Sequence, residues 1–322
     1  MRTNVTLVVY VALAGNIAVA VTKTAAAVWT GSAALASEAV HSAVDTLNEA
    51  LLAWGMRRAA QPPDNEHPLG HGRELYFWSF VVALMVFGLG AGFSLVEGID
   101  HIRHPRPIDH VTAGYVVLAL AFVFESTSWT IALRHFVETK GDAGFYEAVR
   151  GSKDPPGFIV LLEDTAAIAG IVIAAAGTFA ASHFGLPVLD GAASVGIALL
   201  LAGTALVLLR ESASLLIGER ADAELARSIL AIAAGESGVQ GANGVFTVHL
   251  APQQVVAALS LEFSDELTAP RIEETVIAVE KKVRGTHPQV IALFVKPQTA
   301  ATYRSTRKEG YGDGATHQPL SA

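Results

Sequence analysis

The sequence predicts an α-helical membrane protein, a six-transmembrane-helix bundle followed by a small cytoplasmic α/β domain. Three observations carry this. Six apolar stretches approach the roughly 20 residues needed to cross a bilayer core about 30 Å thick. Charged residues make up 16% of the 322-residue chain and hydrophobic ones 52%, whereas soluble domains are about a quarter charged. After Gly218 the pattern changes to alternating strands and amphipathic helices.

The first two spans cover about Val5–Trp29 and Ser32–Trp54, joined by a turn at Gly31. The third runs over about Leu75–Val96 and the fourth over about Val111–Leu133. The fifth covers about Phe158–Phe179 and the sixth about Asp190–Leu209. Pro62 and Pro63, Pro105 and Pro107, Pro155 and Pro156, and Pro187 punctuate the intervals, because proline lacks the amide that continues a helix. The first apolar run is too long for the h-region of a cleavable signal.

Loop charge gives the orientation. Arg2, Arg57, Arg58, Arg73, Arg134, Lys140, Arg150, Lys153, Arg210 and Arg220 fall on one side, and only Arg103 and Arg106 on the other. With an even number of spans, both termini are expected on the cytoplasmic side.

Beyond Gly218, Ala221–Ala234 reads as an amphipathic helix, Gly244–His249 and Val255–Phe263 as strands, Ala269–Val283 as a helix and Val290–Val295 as a last strand. That order suits a small open α/β sheet. The expected domains are a transmembrane part at 1–217, a soluble domain at 218–298 and a disordered polar, glycine-bearing tail at 299–322.

Composition excludes several functions. A net charge of −8 argues against nucleic acid, which recruits a basic face. The absence of cysteine removes disulfides, thiolate metal sites and thiol chemistry. Neither a Ser–His pair nor a two-metal set marks an intramembrane hydrolase, and no enzyme activity or resident cofactor is expected.

The ionisable residues inside the spans carry the chemistry. Each costs on the order of 2.5–3.5 kcal/mol at mid-membrane and marks a functional site by default. The second span holds Glu38, His41, Asp45, Asn48 and Glu49. His41 and Asp45, at i and i+4, stand on one helix face with Asn48 close to it. Such a pair is half of a tetrahedral nitrogen–oxygen zinc site, and it also suits a structural hydrogen bond between helices. Glu163 and Asp164 interrupt the apolar fifth span; two more carboxylates would complete a coordination shell, and one of them at an interface is the bland alternative. Asn16, Lys23, Glu125 and Asp190 are the other polar intrusions. Lys23 either snorkels outward or pairs with a span carboxylate.

At these residues the sequence resembles the cation diffusion facilitator family of metal/proton antiporters, over about Asn4–Gln298. The second span, from Gly31 to Asn48, carries the family's His-x-x-x-Asp as His41 and Asp45. The following loop, Asp64-Asn-Glu-His-Pro-Leu-Gly-His-Gly-Arg-Glu74, matches its His-Pro-x-Gly-His-Gly-Lys-x-Glu pattern. The fifth span departs from the usual His-x-x-x-Asp, with Val160 at the histidine position. Its Leu-Leu-Glu-Asp-Thr-Ala-Ala run, 161–167, looks like the branch containing the animal mitochondrial zinc transporter nine and its bacterial relatives.

The resemblance implies export of a divalent metal, Zn²⁺ by default, in exchange for protons. The implied core ligands are His41, Asp45 and Asp164, with Glu163 or Asn48 as the fourth. An oxygen-rich set also admits Mn²⁺, Fe²⁺, Co²⁺ or Cd²⁺. Asp64, His67 and His71 form a candidate peripheral metal site, or else a loop with solvated histidines. A bacterial inner membrane, a homodimer and a ferredoxin-like terminal domain are implied as well. His249 and His287 in that domain are expected to bind metal weakly at most. Two other classes are an organic-cation carrier, which needs an aromatic-lined cavity, and a non-transporting dimeric membrane scaffold.

Overall fold

The computed structural model describes residues 2–140 and 153–311, and the side chains of 16–134, 136–138 and 153–309. The chain divides into two compact units, 1–216 and 217–322.

The first unit is helical: α1 (Arg2–Thr30), α2 (Ala33–Ala59), α3 (Arg73–Arg103), α4 (Val111–Lys140), α5 (Pro155–Phe184) and α6 (Val188–Ile217). Four of them, α3 to α6, are long and apolar enough to cross a membrane. At 1.5 Å per residue, α1 and α2, of 29 and 27 residues, have the length to cross as well. The side chains of the predicted inner-side cations Arg2, Lys140 and Arg150 lie outside the described ones.

Local chemistry sets the boundaries. Gly31 takes φ 70°, where a Cβ would be strained, and this reverses the chain between α1 and α2. Ser32 caps α2 by accepting from Leu35 N at 3.1 Å. Asp190 adds a carboxylate to the same end, accepting from Ala34 N at 3.2 Å and Ser32 Oγ at 2.8 Å, where the helix dipole favours negative charge. α5 opens on Pro155 and Pro156 and closes on the left-handed Gly185. In α3 the turn Val86–Ala91 is a π-helical stretch carrying Gly88 and Gly90.

The helices meet through small residues. A Cβ on Gly98 of α3 would stand 2.8 Å from Val195 N and 2.9 Å from Gly191 O of α6. Backbone approach of this kind gives membrane helices their van der Waals contact. Ser37 and Ser194 hydroxyls share a hydrogen bond of 2.6 Å, and Ser194 also donates to Ser94 O at 2.8 Å. Ala34, Leu35, Ala166, Ala174, Ile197 and Leu201 form the apolar core between them. Val28, Val172, Leu199 and Leu206 stay exposed, as helices facing acyl chains require.

The second unit contains α7 (Ala223–Ala234), β1 (Val239–Ala251), β2 (Gln254–Phe263), α8 (Ala269–Thr286), β3 (Val290–Pro297) and α9 (Ala300–Tyr311). The sheet order is β1-β2-β3; β1 pairs antiparallel to β2, and β3 parallel to it, through the crossover helix α8 that a parallel pair needs. Val255, Ala257, Leu259 and Leu261 are buried at every second position of β2, facing Ile229, Val279 and Val283 from the helices. β1 is longer than its apolar run because bulges near Gly241 and Gly244 let the flanking residues keep pairing.

The tail differs from expectation. In place of disorder from 299 onward, Ala300–Tyr311 is helical. Thr299 caps it by accepting from Thr302 N at 3.1 Å. Ala300 N donates to Glu262 at 3.0 Å, and Tyr303 lies over Gly244, where no side chain competes for the space. Tertiary anchors therefore order a segment whose composition alone predicts a coil. Residues 312–322 lie outside the described residues.

Candidate metal site

The unit of 1–216 encloses a small cavity of ≈ 30 Å³, room for a bare ion or a water or two. Its walls come from four helices: Asn16 and Val19 of α1, Ser42, Asp45 and Glu49 of α2, Glu125 and Ser128 of α4, and Val160, Glu163 and Asp164 of α5. The lining contains no aromatic ring. Five of its ten side chains are carboxylates, in helices whose neighbours are apolar.

His41 stands one turn before Asp45 on α2, with Nδ1 3.3 Å from Oδ1. Its side chain is 1% exposed, and neither ring nitrogen has a hydrogen-bond partner. Asp45 Oδ1 and Asn48 Oδ1 are also buried without partners. A buried orphan costs about 1–3 kcal/mol, so a cluster of them calls for a partner, an ordered water or an ion. The orphans belong to three of the five residues nominated as intramembrane ligands.

The other two are held. Asn48 Nδ2 donates to Glu163 Oε1 at 2.8 Å, and Ser128 Oγ donates to Asp164 Oδ2 at 2.8 Å. Glu163 and Asp164 both reach the lining although adjacent on their helix, so no rotation of α5 is needed to bring Glu163 there. Lys23 does not snorkel; it is fully buried and pairs with a span carboxylate, Glu38, at 3.2 Å. Glu38 is buried, and Glu49 accepts from Asn16 at 2.5 Å. Ser42 and Ser128 are wall residues the sequence did not announce. The available signal was their placement, Ser42 beside His41 and Ser128 one turn beyond Glu125.

A second cluster lies in the loop between α2 and α3. Among the described residues, Asp64, His67 and His71 form the group whose ligand atoms all lie within 4.8 Å of one another. Asp64 Oδ1 accepts from Glu66 N at 2.9 Å and His67 N at 2.6 Å. Those backbone donors, His67 N first, then the His71 side chain, hold its carboxyl down at about 2. His71 Nε2 is 3.0 Å from Asp64 Oδ2, and its Nδ1 is 3.2 Å from Glu74 Oε1. Arg58 Nε donates to both Glu74 oxygens, at 3.1 and 2.9 Å. The two imidazoles lie with centroids 4.2 Å apart and planes tilted by 39°. In the second unit, His287 Nε2 meets Ser228 Oγ at 2.7 Å and His249 Nδ1 meets Ala251 O at 3.3 Å; neither joins such a group.

Long apolar helices around a buried imidazole and a ring of carboxylates define an integral membrane protein with an intramembrane polar cavity. Residues 9–217 match the family of the cation efflux transmembrane domain, and the chain belongs to that family, the one its second span and following loop resemble. It is 33% identical over 238 residues to the proton-coupled zinc antiporter SLC30A9, mitochondrial, of Xenopus laevis, covering 73% of this chain and 43% of that one. It is 32% identical over 197 residues to metal tolerance protein C4 of Arabidopsis thaliana, covering 60% and 43%. With the cation-efflux pump FieF of Klebsiella pneumoniae it shares 26% over 250 residues, covering 78% and 77%. The chain spans less than half the length of the animal and plant relatives.

Proposed function

We propose that this protein is a secondary transporter, not an enzyme, that exports divalent transition-metal ions, Zn²⁺ foremost, in exchange for protons. It crosses the membrane six times, α1 and α2 included, with both termini cytoplasmic in a bacterial inner membrane, and works as a homodimer. The ligands are His41, Asp45 and Asp164, with Glu163 and Asn48 completing or supporting the shell. Mn²⁺, Fe²⁺, Co²⁺ and Cd²⁺ are secondary cargoes, and Asp64, His67 and His71 form a peripheral metal site in the loop between α2 and α3.

The observation that carries this reading is the carboxylate-lined cavity beside the unpartnered His41 and Asp45. Metal takes up a neutral imidazole and ionised carboxylates, so protons and metal compete for the same atoms. Exchanging sides converts that competition into antiport. The family membership and the names of the relatives support the same cargo and coupling. An organic cation would want aromatic walls, which this lining lacks.

The test is Zn²⁺ loading of proteoliposomes with and without a pH gradient. Faster loading against an outward-moving proton flux is expected. Equal initial rates across about pH 6–8, the range in which histidine titrates, with no proton movement, reject antiport.

A further inference from the structure

Lys23 of α1 is fully buried in the helical unit, and no ligand scheme for the cavity uses it. Its Nζ lies 2.8 Å from Ser42 Oγ, 3.2 Å from Glu38 Oε2 and 4.0 Å from Glu125 Oε1. Ser42 and Glu125 both line the cavity, and Lys23 does not. The ammonium therefore sits just behind the wall and faces two of its groups. Glu38 is the anchor: its Oε1 fills the space beside Gly170 of α5, where any side chain would collide with it.

The other wall carboxylates have their own partners or are candidate ligands. Glu49 is held by Asn16, Glu163 by Asn48 and Asp164 by Ser128. Glu125 faces the lysine. An ion pair between Lys23 and Glu38 alone would satisfy both charges, yet the lysine is placed to serve the cavity as well.

We propose that Lys23 is a resident counter-cation of the cavity, holding Glu125 to the wall so that this carboxylate stays out of the cargo's coordination shell. It is a positioning residue and a determinant of how tightly the site grips metal. With Glu125 withheld, the shell carries fewer anionic oxygens, and the ion can leave. This rests on the transport reading above. Without the lysine, Glu125 turns inward, adds a ligand and traps the ion.

The experiment is a mutant cycle on the full chain in nanodiscs, reading Zn²⁺ affinity by competition with a chromogenic chelator, with turnover measured in proteoliposomes. Lys23→Met combined with Glu38→Gln leaves no unpaired charge at the anchor. We expect this pair to bind Zn²⁺ about 10–100-fold more tightly, the range over which groups behind a metal's ligands act, and to turn over more slowly. Adding Glu125→Gln should return the affinity to within about threefold of wild type, a departure small enough to count as additive. Glu125→Gln alone should change it by less than about threefold, and Lys23→Arg should behave as wild type. The proposal is overturned if the pair gains no affinity, or if Glu125→Gln acts equally with and without the lysine. Should the pair fail to fold, a tenfold loss from Glu125→Gln alone overturns it, because Glu125 would then already be a ligand. Wild-type protein that neither binds nor moves Zn²⁺ sinks the transport reading itself. Wild-type transport with an unchanged affinity in the pair sinks only the role of Lys23.

Discussion

The molecule carries two clusters of histidine and carboxylate, and they are finished to different degrees. In the loop between α2 and α3, Asp64 takes two backbone amides and one imidazole, and His71 is gripped between Asp64 and Glu74. At the cavity, one oxygen of the lining Asp45 has no hydrogen-bond partner, and neither has either nitrogen of His41, one turn earlier on α2 and behind the lining. A metal entering the loop must displace hydrogen bonds already made. A metal entering the cavity relieves atoms that the fold leaves unsatisfied. A site that must fill and empty in each cycle needs a shell that is open when empty, whereas a fixed loop has no such need.

The comparison breaks first at the cavity. His41→Ala, Asp45→Ala and Asp164→Asn should each reduce proteoliposome Zn²⁺ transport by about a hundredfold or more, since a four-ligand zinc site tolerates little loss. Membrane insertion should be unaffected. Wild-type rates from the purified variants would remove these residues from the pathway. Glu163→Gln should weaken transport by about tenfold, as for a group that supports a ligand.

Val160 sharpens it. The residue lines the cavity beside Glu163 and Asp164, so Val160→His places a second imidazole within reach of cargo. Nitrogen suits Zn²⁺ better than Mn²⁺. Competition between the two ions should move toward zinc by about tenfold, and an unchanged ratio would mean that position 160 does not meet the ion.

The loop should respond less. His67→Ala with His71→Ala should abolish metal binding to the loop, followed by isothermal titration in a His41→Ala background. Transport in an otherwise wild-type chain should fall by less than about threefold, the loop lying outside the ion's path. A loss comparable to that of Asp45→Ala would make the two clusters one functional unit.

The smallest effect concerns acid. The Asp64 carboxyl is depressed to about 2 from 3.8. Its contribution to the turn is therefore complete above the unfolded value and is lost as pH falls through the folded one. The Glu66 and His67 amide shifts should stay constant down to about pH 4 and move only below it. A midpoint near about pH 4, the value of an unperturbed aspartate, would show that the amides do not hold Asp64.

How much of this was legible follows from the kind of signal involved. Helix length and apolar content are local, so α3 to α6 could be read off directly. The i, i+4 spacing of His41 and Asp45 is a property of one helix and survives folding unchanged. Which carboxylate meets Lys23 depends on how α1, α2 and α4 pack, and no spacing reports that. Adjacent residues on a helix point about 100° apart, so spacing alone does not put Glu163 and Asp164 on one wall. Both nevertheless line the cavity, with Asn48 of α2 donating to Glu163. Helix α9 was missed since its polar sequence has weak intrinsic signal, and its anchors Glu262 and Gly244 lie far back in the chain.

The glycine contact between α3 and α6 has a consequence for biogenesis. Gly98 finds Gly191 only after α4 and α5 have been made. Until then α3 waits in the bilayer with a small-residue groove facing lipid and a π-turn at its middle. Ser94 and His101 share the buried face of α3 with Gly98, so the groove carries polar atoms that gain cover only when α6 arrives. A bulkier residue at 98 would leave α3 inserted and α6 inserted, and the two never joined: a protein of full length, correctly threaded, and without its last helix–helix seam.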